Sequence, residues 1–136
     1  MELEKIIYKN EVLAIFYPKK LKGEGGVTFL TPQDYPLQVG IIEHSESKTV
    51  QPHIHRDLKY NVNTTLEFLY VEEGRGVEIT LYAKDWTEVK KITLSAGDSI
   101  LFVSGGHGLK IPKRCRIFEI KQGPYPGDKE AKIFKQ

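Results

Sequence analysis

In Val77-Glu78-Ile79-Thr80-Leu81-Tyr82-Ala83, apolar and polar side chains alternate. Val77, Ile79 and Leu81 fall on one face of an extended chain, and Glu78, Thr80 and Tyr82 on the other. That is the period of a half-buried strand rather than of a helix. The same reading extends outward. Upstream, the turn Glu73-Gly74-Arg75-Gly76 joins this run to Leu66 to Glu72. Downstream, Asp85-Trp86 turns the chain into Glu88 to Leu94, and Ala96-Gly97-Asp98 turns it again into Ser99 to Val103. Leu109 to Ile111 and Arg116 to Lys121 close the series. Towards the N-terminus, Ile6 to Tyr8 and Val12 to Tyr17 flank a turn at Asn10. Val27 to Leu30 and Leu37 to His44 are separated by Pro32 and Pro36, and Val50 to His55 is a further strand candidate. The tail Gly123-Pro124-Tyr125-Pro126-Gly127 reads as a turn-rich strap, and Asp128 to Phe134 as one helical turn or a final edge strand.

Short strands at regular spacing, with tight turns and no helix long enough for a βαβ unit, predict an all-β sandwich or barrel. The chain has 136 residues, enough for one domain with a sizeable core and short for two. Apolar residues make up 40% and charged residues 28%, the balance of a globular chain rather than a disordered one. A formal net charge of +2 with scattered lysines gives no footprint for nucleic acid. Lys19-Lys20-Leu21-Lys22 is too short to alter this and reads as a solvated loop. Cys115 is the only cysteine, so no intramolecular disulfide forms, which is compatible with a cytoplasmic setting. Between Arg114 and Arg116 it reads as a small strand hydrophobe ahead of a reactive thiol. No stretch has the apolar length of a membrane span, and the N-terminal residues lack the pattern of a signal peptide.

The four histidines are unevenly placed. His53 and His55 form a His-x-His pair, and residues two apart on a strand point the same way. Their imidazoles therefore converge on one point. Glu67 follows, with Gly74 after six intervening residues. Gly97-Asp98 opens an apolar run that leads to Ser104-Gly105-Gly106-His107. A carboxylate from a neighbouring strand and a third imidazole from a more distant one complete a three-histidine, one-carboxylate metal set. Taken singly, each group has a plainer reading. A surface histidine is usually only that, alternation alone can aim Glu67 at solvent, and Gly74, Gly97, Gly105 and Gly106 serve tight turns whatever the site does. His44 lies outside both motifs and reads as a strand-end residue. Arg56, Tyr60 and Asn63 sit on the long irregular segment Arg56 to Thr65, where they either cover a ligand or face solvent.

In these residues the chain resembles the cupins, small jelly-roll β-barrels. Their first motif is carried by Gln51-Pro52-His53-Ile54-His55 and by Glu67-Phe68-Leu69-Tyr70-Val71-Glu72-Glu73-Gly74, and their second by Gly97 to His107. Leu66 to Gly74, Ala96 to Leu109 and Lys121-Gln122-Gly123-Pro124-Tyr125 are also similar to a group of small single-domain cupins of undefined function. Two departures stand out. Eleven residues, Arg56 to Leu66, separate His55 from Glu67, where the family has three or four. Val103 stands where the family has proline, and His107 comes one residue early. A one-residue slip reverses the face of a strand side chain, and Gly105 and Gly106 permit a bulge that restores it.

The resemblance implies an all-β, cupin-type double-stranded β-helix, a single jelly-roll domain over 1–136 with its metal motifs within 50–109. It implies that His53, His55, Glu67 and His107 bind one divalent transition metal, with Mn, Fe, Ni, Cu and Zn all suited to such donors. A polar small molecule inside the barrel is the expected ligand, through sugar isomerase- or epimerase-like or dioxygenase-like chemistry. A non-catalytic ligand- or metal-binding module is the alternative, because the fold hosts many functions. Neither nucleic acid nor a membrane is an expected partner. A homodimer is expected, with Ile6 to Tyr17 as the strands that cross to the partner.

Overall fold

The computed structural model describes residues 2–136, which divide into two compact units. One comprises the chain up to Leu21 together with Thr65–Gln136, and the other is Lys22–Thr64.

The first unit holds two antiparallel sheets. Its strands are β1 (Glu4–Tyr8), β2 (Glu11–Tyr17), β5 (Glu67–Glu73), β6 (Val77–Tyr82), β7 (Glu88–Leu94), β8 (Ser99–Phe102), β9 (Gly106–Lys110) and β10 (Arg116–Lys121). The five-stranded sheet runs β1-β2-β8-β5-β10, and the three-stranded sheet runs β7-β6-β9. β1 and β2 are thus part of this chain's own sheet. The alternating run that opened the sequence reading is β6, with Val77, Ile79 and Leu81 buried. These side chains pack with Leu94 of β7 and with Ile6, Ala14, Leu69, Val71, Ile100 and Phe102 of the five-stranded sheet, forming one apolar cluster. Apolar burial on this scale is the main stabilising term of a small β domain. β8 is buried along its whole length, as expected of a strand near the middle of a sheet.

The turns follow their residue chemistry. Asp85 accepts the Thr87 N–H on its carboxylate and Ala83 accepts the Trp86 N–H on its carbonyl, closing the turn between β6 and β7. Gly74 takes φ +99, and a Cβ there would lie 2.5 Å from the Cys115 Sγ, so only glycine fits beside that strand entry. After β10 the strap leads to α1 (Asp128–Ala131), the helical turn that was one of the two forms expected for this segment, the other being an edge strand.

The second unit is built on the hairpin of β3 (Gly26–Phe29) and β4 (Gly40–Glu43). Gln38 ties its connection together: Nε2 donates to the Pro32 and Tyr35 carbonyls, and Oε1 accepts from the Thr31 hydroxyl. After β4, no residue from His44 to Leu66 lies in a strand. This corrects the expected strand over Val50 to His55. The residues have the alternation of a strand, but Pro52 removes a donor from the run and no partner strand is supplied, so their polar backbone faces water.

Among the described residues no helix is long and apolar enough to cross a membrane.

Candidate metal centre

Glu67 opens β5 and stands opposite Phe102 of β8 on one side and Lys121 of β10 on the other. It shares its face with Leu69 and Val71, the face that carries the apolar cluster. Alternation therefore aims this carboxylate inward and not at solvent; its side chain is only 15% exposed. His107 lies on β9 opposite Leu81, two residues from the Leu109–Ile79 pair. It too faces the core side of its sheet. The early position of His107 is absorbed by Gly105, which takes φ +70 where an added Cβ would lie 2.3 Å from the Tyr82 carbonyl oxygen.

Glu67 and His107 thus reach towards one another from the two sheets of this unit. His107 Nε2 is 3.6 Å from Glu67 Oε2, longer than a good hydrogen bond but a close polar contact. The imidazole stacks on the Phe102 ring, with centroids 3.7 Å apart and planes within 5°. Lys121 completes the group. Its Nζ is 3.6 Å from Glu67 Oε2 and 3.0 Å from Glu119 Oε1, and it sits 4.8 Å above the Tyr125 ring. Burial by itself raises the carboxyl pKa of Glu67. Its polar contacts with His107 and Glu119 and the positive charges of His107 and Lys121 outweigh that, holding it at about 2.

His53 and His55 belong to Lys22–Thr64. Both are exposed, yet their rings lie side by side, with centroids 5.2 Å apart and planes tilted by 55°. His53 Nδ1 is 2.8 Å from the Gln51 carbonyl oxygen, a contact that leaves Nε2 as the outward nitrogen. His44 is an exposed residue directly after β4, as expected. Among the described residues no three His, Cys, Asp or Glu side chains are grouped closely enough to hold a metal ion.

Sequence reasoning missed Lys121, Glu119 and Phe102 as neighbours of Glu67. The signal was present in β10, where Ile117, Glu119 and Lys121 alternate onto one face and Ile117 packs against the apolar cluster. Two charges at period two read as a solvent face, and only the pairing of Lys121 with Glu67 reverses that reading.

Compared with protein-family models, with curated proteins and with solved structures, the chain matches none. The likeness to cupins rests on the quoted motifs.

Proposed function

We propose that the chain is a metal-binding, cupin-type jelly-roll protein that holds one divalent transition metal through His53, His55, Glu67 and His107. The observation that carries this reading is the approach of Glu67 and His107, one carboxylate and one imidazole aimed inward from facing sheets. Their chemistry fits a cation: Glu67 remains an anion far into acid, and an imidazole nitrogen faces it. The paired imidazoles of His53 and His55 are, in this proposal, the other two donors. Strand pairing supports the jelly roll, since β5–β10 nests around β6–β9 as in a rolled-up hairpin.

A bound divalent ion with an open position polarises a carbonyl or lowers the pKa of bound water. The chain's own side chains supply orientation. Lys121 offers an ammonium donor beside Glu67 for a polar or anionic substrate group, and the Phe102 ring fixes the plane of the His107 imidazole. The favoured activity is turnover of a polar small molecule, by isomerisation or epimerisation of a sugar derivative or by dioxygenation. The second reading is a non-catalytic ligand- or metal-binding module. Elemental analysis of the purified protein tests the metal. A stoichiometric transition metal that disappears in the His53→Ala/His55→Ala variant supports the site, and unchanged metal content in that variant removes it. Turnover in a panel of sugars and oxidisable substrates separates enzyme from binding module.

A further inference from the structure

The stretch His53 to Asn63 has the alternation of a strand and pairs with no strand of the described residues. Ile54, Arg56, Leu58, Tyr60 and Val62 fall on one face, and His53, His55, Asp57, Lys59, Asn61 and Asn63 on the other. Every one of these residues is exposed, Ile54 at 95% and Tyr60 at 77%. A row of large, exposed apolar side chains in a sequence that alternates like a strand and has no strand partner is a template for another chain. The eleven residues that separate His55 from Glu67 provide most of it.

We propose that this segment is a dimerisation arm that pairs antiparallel with the same segment of a second copy, the two-fold axis passing through Leu58. The sequence is self-complementary in that register. Leu58 faces the partner's Leu58, and Ile54 faces the partner's Val62. Arg56 faces the partner's Tyr60, a cation–π pair, and Asp57 faces the partner's Lys59, an ion pair. His55 and His53 face the partner's Asn61 and the partner's Asn63. Symmetry makes each unlike pair twice, and directly opposed side chains are the unit of sheet stabilisation. Neighbouring registers fail. Centring on Arg56 sets two guanidinium groups against each other on the axis, and centring on Tyr60 leaves Asp57 facing the partner's Asn63. A shift by one residue sets apolar against polar faces. β1 and β2, the strands first expected to cross, are already paired within their own sheet. The arm shares His53 and His55 with the metal reading but requires no metal, and its test at Asp57, Leu58 and Lys59 reads neither histidine.

The experiment is light scattering or sedimentation equilibrium on the full chain over a range of concentrations. The unmodified protein should dimerise. Asp57→Lys and Lys59→Asp should each raise the dissociation constant by roughly tenfold or more, because each creates two like-charge pairs. Mixing these two variants should recover the dimer, since opposite charges then face each other on both sides of the axis. The doubly swapped chain, D57K/K59D, should again dimerise with itself. Recovery on mixing also shows that the single variants are folded. In a Cys115→Ser background, Leu58→Cys should be captured as a disulfide-linked dimer on mild oxidation. A monomer at every concentration overturns the proposal. So does a dimer whose dissociation constant ignores both charge changes, or a mixture of the two variants that stays monomeric.

Discussion

Glu67 and Lys121 show how one side chain's chemistry depends on those opposite it. Glu67 titrates at about 2 in the folded chain against an ordinary 4.5. A carboxyl whose folded pKa is depressed contributes stability that is fully present above its ordinary pKa and is lost as the pH falls towards the folded value. For the metal-free protein, Glu67→Gln should therefore lower the urea midpoint at neutral pH, and the gap from the unmodified protein should close between pH 4.5 and about 2. A constant gap across that window would contradict the assignment. Lys121 places a positive charge 3.6 Å from the same carboxylate oxygen. A cation there opposes a bound metal, and like charges at such range exceed ~1 kcal/mol even at an effective dielectric of 20. Lys121→Met should raise affinity for Zn or Ni by roughly tenfold, as measured by isothermal titration. A fall in affinity would make Lys121 a support of the site instead of a competitor.

At the scale of elements, strands with clear alternation were legible and the glycine-rich start of β9 was not. β6 announced itself through Val77, Ile79 and Leu81. β9 was placed at Leu109 to Ile111, although pairing with β6 begins at Gly106. Gly106 and Gly108 carry no side chain, so no periodicity marks them, and the ladder hydrogen bonds that recruit them to β6 are invisible in sequence. That extension is what brings His107 onto the core-facing side. Its entry depends on Gly105, whose positive φ and contact with the Tyr82 carbonyl exclude a Cβ. Gly105→Ala should destabilise the chain by about 2 kcal/mol or more, through strain and forced movement of backbone. It should lower the urea midpoint without changing the slope. Val50 to His55 shows the converse: alternation describes a side chain's fitness for a sheet and does not supply the partner strand.

At the scale of the whole chain, a predominantly β-sheet architecture was readable from spacing and turns, but the division of the described strands into three sheets was not. Glu67 and His107 were expected to be brought in by neighbouring strands, and the structure sets them 3.6 Å apart; the facing of His107 depends on the pairing of β9 with β6, which periodicity does not give. The arrangement into two units was not readable either, since it depends on contacts far apart in sequence. The metal proposal spans the chain and is tested at that scale. His53→Ala/His55→Ala should lose the metal yet retain the far-ultraviolet β spectrum, because the apolar cluster contains neither histidine. His44→Ala should leave metal content unchanged. Neutral imidazole is the ligating form, so metal retained on dialysis should decline as the buffer is made more acidic. Full retention in the double variant would end the reading.

The parallel stack of His107 on Phe102 also has a spectroscopic consequence. A benzene ring lying face-on at 3.7 Å shields the nuclei above it, so the imidazole carbon-bound protons of His107 should resonate upfield of those of the exposed His44, His53 and His55. One histidine out of four therefore carries its own magnetic label. Its resonance would follow proton or metal uptake at the inner face, separately from events at the exposed pair.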